Sequence, residues 1–197
     1  MQAAMGAYMA NTSGPFANPG VNSIAFIPFV NVVDADDGAK SKLPLEESHA
    51  NANGSTMNSF IRSLNKTSDE GSAMLYTYSV QGNFEADGEA NPKDITKAIM
   101  HGNFITMGVC LLQPMSKGAV HLTSANPKQN PSVDPQYLSK ELDVEIFARH
   151  LRYLQTLVKT QPLASFLKPD GKRSSPDTDL KDLDAVKEFV RTTAISN

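Results

Sequence analysis

Residues 103–123 read NFITMGVCLLQPMSKGAVHLT, and the fold class turns on this stretch. From Asn103 to Leu112 the apolar side chains run on both faces of an extended chain, which predicts a central strand covered on both sides. Pro114-Met115-Ser116-Lys117-Gly118 has turn composition, and Ala119 to Thr123 alternates again, with Val120 and Leu122 on one face. The spacing predicts an antiparallel hairpin over 103–123.

Downstream the period changes. Val144, Phe147, Leu151, Leu154 and Val158 fall at steps of three and four, so a long amphipathic helix follows, with Ser139 as its expected N-cap and Pro162 as its stop. Residues 168–178 are loop by composition, and Asp182 is placed to cap a last helix that turns Leu183, Val186, Phe189 and Val190 inward. Upstream, Met74–Gln81 reads as a strand, Pro92–His101 as a short helix with Pro at its first position, and Met57–Leu64 as a short helix on Phe60, Ile61 and Leu64. Ser23–Val33 reads as a strand with Pro28 marking an edge or bulge, the segment 34–56 as a long polar loop, and the Ala/Met-rich start as a short helix ended at Gly14-Pro15. Strands come first and helices later, without βαβ alternation. The expected class is therefore α+β, a mainly antiparallel (mixed) sheet with helices packed on one face, in a single domain over 1–197.

With 18 Lys+Arg against 21 Asp+Glu in 197 residues the net charge is −3, which supplies no basic field for nucleic acid or an anionic membrane surface. No stretch approaches a membrane span, and the first residues lack the pattern of a signal peptide, so a soluble chain is expected. The single Cys110 sits in Val109-Cys110-Leu111-Leu112 and reads as a small hydrophobe rather than a reactive thiol. His49, His101, His121 and His150 stand at no metal-ligand spacing, and Asp34-Ala35-Asp36-Asp37-Gly38 lacks the Gly and Glu positions of a calcium loop, so no metal site is expected. No nucleophile elbow, phosphate loop or dinucleotide fingerprint is present. Asn11, Asn53 and Asn65 each begin an N-glycosylation sequon, which permits a secreted origin without requiring one.

Leu111 to Leu122, then Ser124-Ala125-Asn126-Pro127, then Val133-Asp134-Pro135-Gln136-Tyr137-Leu138 resemble the glucose–methanol–choline (GMC) oxidoreductases. That family carries a Pro-x-Ser-Arg/Lys-Gly turn, a Ser-x-Asp-Pro turn and an Asp/Asn-Pro-x-Tyr motif ahead of a long helix, in this order; Asn126 departs from the commoner Asp. Gly14-Pro15, preceded by Tyr8 and Thr12, is similar to the Thr-Gly-Pro that opens the family's substrate-binding domain.

The resemblance implies the substrate-binding portion of a larger flavoenzyme, present as a fragment. The family's FAD-binding domain, with its Gly-rich fingerprint, would precede this region, and its catalytic His-Pro would begin just after Asn197, so no catalytic residue is expected in this chain and no cofactor bound to it. In the parent, FAD would take hydride at N5 from a CH–OH group of an alcohol while the His accepts the hydroxyl proton. The fragment would supply pocket walls, with Asn103, Ile105, Met107, Val109 and Leu111 sent to one face by strand alternation, or else serving as plain core. Expected partners are the small alcohol, the FAD-binding domain of the same polypeptide and, through an open apolar sheet face, a second copy of the chain. The parent would be a soluble, in some fungal relatives secreted, enzyme. The alternative is a stand-alone small-molecule or protein binding module derived from the same fold.

Overall fold

A computed structural model describes residues 2–14, 17, 23–29, 32, 56–66, 71–84, 99–168, 171 and 178–194. In chain order the elements are α1 (Gln2–Asn11), β1 (Ser23–Ile27), α2 (Thr56–Leu64), β2 (Ala73–Phe84), β3 (Ile99–Leu111), β4 (Ala119–His121), β5 (Ser132–Asp134), α3 (Glu141–Val158) and α4 (Leu183–Thr193), with a 3-10 turn at Leu163–Phe166. The class is α+β. Three strands pair in the order β1-β2-β3, and β4 pairs with β5 as a separate antiparallel ribbon, Val120 facing Val133.

The hydrogen bonds give the sense of the larger sheet. Ser23 meets Thr77 through their hydroxyls, while the Ser72 N–H donates to the Ile27 carbonyl at 3.1 Å, so one index rises as the other falls. The Leu112 N–H likewise donates to the Ser72 carbonyl at 3.1 Å, and Gly108 lies against the ring of Tyr76. Both pairings are antiparallel.

This corrects the expected hairpin over 103–123: β3 pairs with β2, the pairing partner of Ala119–His121 is Ser132–Asp134, and β3 lies at the edge of its sheet with β2 in the middle. Alternation fixes which residues share a face but does not choose the neighbour. The strand from Ser23 stops at Ile27, before Pro28, whose missing N–H cannot extend a ladder; Phe29 and Val32 beyond it are buried. Ile99–His101, expected to end a helix, begins β3 instead, and 92–98 lie outside the described residues, as do the loop 34–55 and most of 168–178.

By its contacts the chain forms two compact units. Met1–Ala25 with Leu75–Gly108 holds α1 and the longer parts of β2 and β3; among the described residues Leu75 is buried in it. Phe26–Met74 with Val109–Asn197 holds α2, the ribbon, α3 and α4. In this second unit Ala148, Val186 and Val190 form an apolar cluster joined by Leu138, Phe147, Leu151, Leu180 and Leu183; it takes in Phe147 and Leu151 of the expected α3 stripe and Leu183, Val186 and Val190 of the expected α4 face, while Val144 and Leu154 are buried outside it. The buried face of α3 is wider than that stripe. It includes Asp143, Glu145, His150 and Arg152 beside Val144, Ile146 and Leu154.

Candidate functional site

Strand β3 carries the residues expected to wall a pocket, and each has its own setting. Asn103 lies in β3, its side chain outside the description; Ile105 is exposed, Met107 half-buried, Val109 buried and Leu111 half-buried. Enclosure along the described side chains is greatest at Val109. Cys110, on the opposite parity, is half-buried and free.

The turn after β3 is where the chain invests its polar contacts. Asp143, in the first turn of α3 and fully buried, accepts the Met115 N–H on Oδ1 at 2.9 Å and the Ser116 N–H and hydroxyl on Oδ2 at 2.6 and 2.5 Å. Bonds to an ionised carboxylate are roughly twice as strong as neutral ones, and a helix N-terminus favours a negative charge, so the turn and the helix start stabilise each other. Ser116 Oγ in return accepts the Lys140 N–H at 3.0 Å. Ser139 was the cap expected from sequence; the N-cap is Lys140, whose ammonium has no acceptor with which to make a cap bond, while its own amide is satisfied by Ser116 from across the fold. Gly118 completes the turn: a Cβ there would fall on the carbonyl oxygens of Asp134 and Pro135, so only glycine lets the ribbon close.

Two turns further along α3, His150 is fully buried. Nδ1 lies 2.8 Å from the Ile146 carbonyl, which can only accept, so Nδ1 carries the proton. Nε2 lies 3.1 Å from the Ser72 hydroxyl and 3.3 Å from the Ile27 carbonyl. Burial pushes the imidazole below its ordinary pKa, the two carbonyls pulling it partly back, so the ring is neutral near pH 7 and Nε2 accepts the Ser72 hydroxyl. A Ser–His pair of this geometry is a nucleophile's arrangement elsewhere, but with Ser72 1% and His150 0% exposed no substrate reaches it.

On the α4 side of α3, Glu145 bonds Arg149 at 2.6 Å and also Lys187, and Arg191 pairs with Glu141. Burial raises the Glu145 carboxyl, but the Lys187 and Arg149 bonds outweigh it and hold the group below its ordinary value. Arg152 donates Nε to the Leu180 carbonyl at 3.3 Å. These contacts fasten α4 to α3.

Of the other residues singled out in the sequence, His121 is exposed on β4, His101 lies in β3, and His49 and Asp34–Gly38 lie outside the described residues. Among the described residues no three His, Cys, Asp or Glu come together as a metal site. The Asn65 sequon is corrected: its side chain is 2% exposed and Nδ2 donates to the Ile61 carbonyl at 3.1 Å, leaving no room for a glycan. Asn11 is exposed, and Asn53 lies outside the described residues. Among the described residues no helix is long and apolar enough to cross a membrane. Sequence reasoning missed Asp143, Ser72 and His150. The available signal was Asp143 and His150 seven residues apart, on the flank of an apolar stripe.

Residues 114–197 match the family model described as GMC oxidoreductase. A dehydrogenase of Monascus purpureus is 30% identical over 82 residues, 41% of this chain and 13% of the relative; the mitochondrial choline dehydrogenase of Mus musculus is 34% identical over 85 residues, 43% and 14%. The matched stretch thus spans about a seventh of the length of these curated relatives or less. Among solved structures, a formate oxidase of Aspergillus oryzae with a modified FAD superposes with a TM-score of 0.56 at 18% identity, over 95% of this chain and 30% of that one, a likeness of fold.

Proposed function

We propose that this chain, whose residues 114–197 match the GMC oxidoreductase family model, is the substrate-binding part of an FAD-dependent oxidoreductase acting on the CH–OH group of an alcohol. The observation that carries the reading is the Ser116–Asp143 clamp. The serine of the Pro-x-Ser-Lys-Gly turn is tied to a buried carboxylate on the long helix, so the motif that marks the family is also what fixes this part of the fold. A relative named for choline, an alcohol, supports the substrate class, and a fold neighbour named for its FAD supports the cofactor.

The flavin would be held by an FAD-binding domain of the same polypeptide rather than by the clamp. Met115 and Ser116 point two successive N–H groups at one place, as an anion site does, but the Asp143 carboxylate fills it, so a flavin diphosphate does not fit there. No catalytic step is assigned to this chain. Its proposed share is to present apolar side chains to the alcohol, and Ile105, Met107 and Leu111 on β3 are the described candidates with exposed surface.

The test is to sequence the natural transcript on both sides of the chain and purify its product. A Gly-rich nucleotide fingerprint before Met1, a His-Pro after Asn197 and a flavin spectrum that bleaches anaerobically on adding an alcohol are expected. A flavin-free product that binds alcohols without turnover would replace this reading with that of a binding module.

A further inference from the structure

His150 has no part in the reading above, yet it is the best-enclosed titratable ring among the described residues. Every described group that hydrogen-bonds the ring or stacks on it is neutral. From α3 itself comes the Ile146 carbonyl; from the end of β1, the Ile27 carbonyl; from the residue before β2, the Ser72 hydroxyl; and from the segment after β1, the ring of Phe29, with centroids 5.8 Å apart and tilted by 53°. Asp143, the acid two turns earlier on α3, is committed to Met115 and Ser116. Among the described residues no carboxylate bonds the ring to compensate a charge on it.

Ser72 is a three-way joint. Its N–H donates to the Ile27 carbonyl, its own carbonyl accepts the Leu112 N–H, both at 3.1 Å, and its hydroxyl meets His150. Leu112 leads within three residues to Met115, which Asp143 holds. The bonds therefore close a ring that runs from α3 through His150, Ser72, Leu112 and the clamped turn back to α3.

We propose that His150 is a proton-sensitive latch on this ring: as a neutral imidazole it accepts the Ser72 hydroxyl and holds α3 to the ends of β1 and β3, and when Nε2 takes a proton from water the latch opens. A protonated Nε2 can no longer accept and turns donor toward the Ser72 Oγ at 3.1 Å or the Ile27 carbonyl at 3.3 Å, so the Ser72 hydroxyl has to give up Nε2 and turn its proton to the Ile27 carbonyl, 3.3 Å from its oxygen. The imidazolium is then a buried charge among neutral groups, a state relieved by moving the ring toward water. Burial already disfavours that proton, which places the transition on the acid side of the ordinary histidine range. The inference is independent of the oxidoreductase reading, since it concerns a bond network and not turnover.

The experiment is a titration of the full chain from pH 8 to pH 5 by imidazole and amide NMR, paired with thermal unfolding over the same range. The Nδ1–H tautomer, a His150 midpoint below 6.5, and Leu112 and Met115 amides that move with that midpoint are expected. Ser72→Ala removes the hydroxyl that joins the ring to this junction, and the Leu112 and Met115 amides then no longer follow the His150 midpoint. His150→Gln, neutral throughout, lacks the loss of melting temperature that the wild-type chain shows below pH 6.5. An Nε2–H tautomer, a midpoint at or above 6.5, or amides of Leu112 and Met115 indifferent to the ring overturns the proposal. Should His150→Gln not fold, the wild-type NMR titration decides alone.

Discussion

The α3–α4 pair and the β4–β5 ribbon are neighbours in sequence and hold their shapes by different means. The helices bury what they share: Ala148 and Val186 are 0% exposed and Val190 2%, with Glu145 pinned to Lys187 across the seam. The ribbon buries little of its own, since Val120 is 65% exposed, Leu122 85% and Val133 62%. What fixes it lies at its two ends, the Asp143 clamp on Met115 and Ser116 before β4 and Leu138 in the helix-pair cluster after β5. A packed surface holds the first region, and two anchor points hold the second.

That difference makes the ribbon fragile at its anchors and tolerant along its length. Asp143→Ala should have the largest effect, because it strands two buried N–H groups and a hydroxyl: a loss on the order of 3–5 kcal/mol, read as a fall in the urea midpoint. Gly118→Ala should cost about 2–3 kcal/mol by driving a methyl into the Asp134 and Pro135 carbonyls, and hydrogen exchange should quicken in β4 and β5 while α3 and α4 stay protected. Equal quickening everywhere would dissolve the distinction between the two regions. Val186→Ala opens a cavity in the helix pair, with an expected cost of about 2 kcal/mol and no selective effect on the ribbon. Glu145→Gln sharpens the other side of the comparison: because its folded pKa is lowered, the wild-type advantage is fully present above pH 4.5 and fades as pH falls through the folded value, as melting curves on both proteins would show. Leu122→Ser, at the exposed residue just past β4, should change stability by no more than about 0.5 kcal/mol.

The same contrast separates what could be read in the sequence from what could not. The helix pair was legible, down to Asp182 accepting the Asp184 N–H at 2.9 Å as N-cap, because a stripe and a cap are local properties of one segment. The strand from Ser23 was legible but not its end, since Pro28 was read as an edge or bulge and β1 stops at Ile27. Pairing of β3 with β2, and of β4 with β5, was not, since apolar alternation along 103–123 suits either neighbour equally. The start of α3 was misread at Ser139 because the group that satisfies the Lys140 amide is Ser116, 24 residues away. His150 and Ser72 looked ordinary because their chemistry exists only once two distant segments meet. The settings of Ile105 and Met107 likewise depend on β3 lying at an edge, which no periodicity reports.

Ser72 and His150 are separated by 78 residues, and Ile27 and His150 by 123. Contacts of such span cannot guide the early search, because the loop entropy of closing them is lost before any bond is gained. The helix α3 can form from its own neighbours in sequence, whereas its junction with Ser72 must come late, at low φ-value. On a ribosome the carbonyl of Ile27 and the hydroxyl of Ser72 are made long before the imidazole that completes their junction, and this corner of the protein stays open to water until α3 arrives.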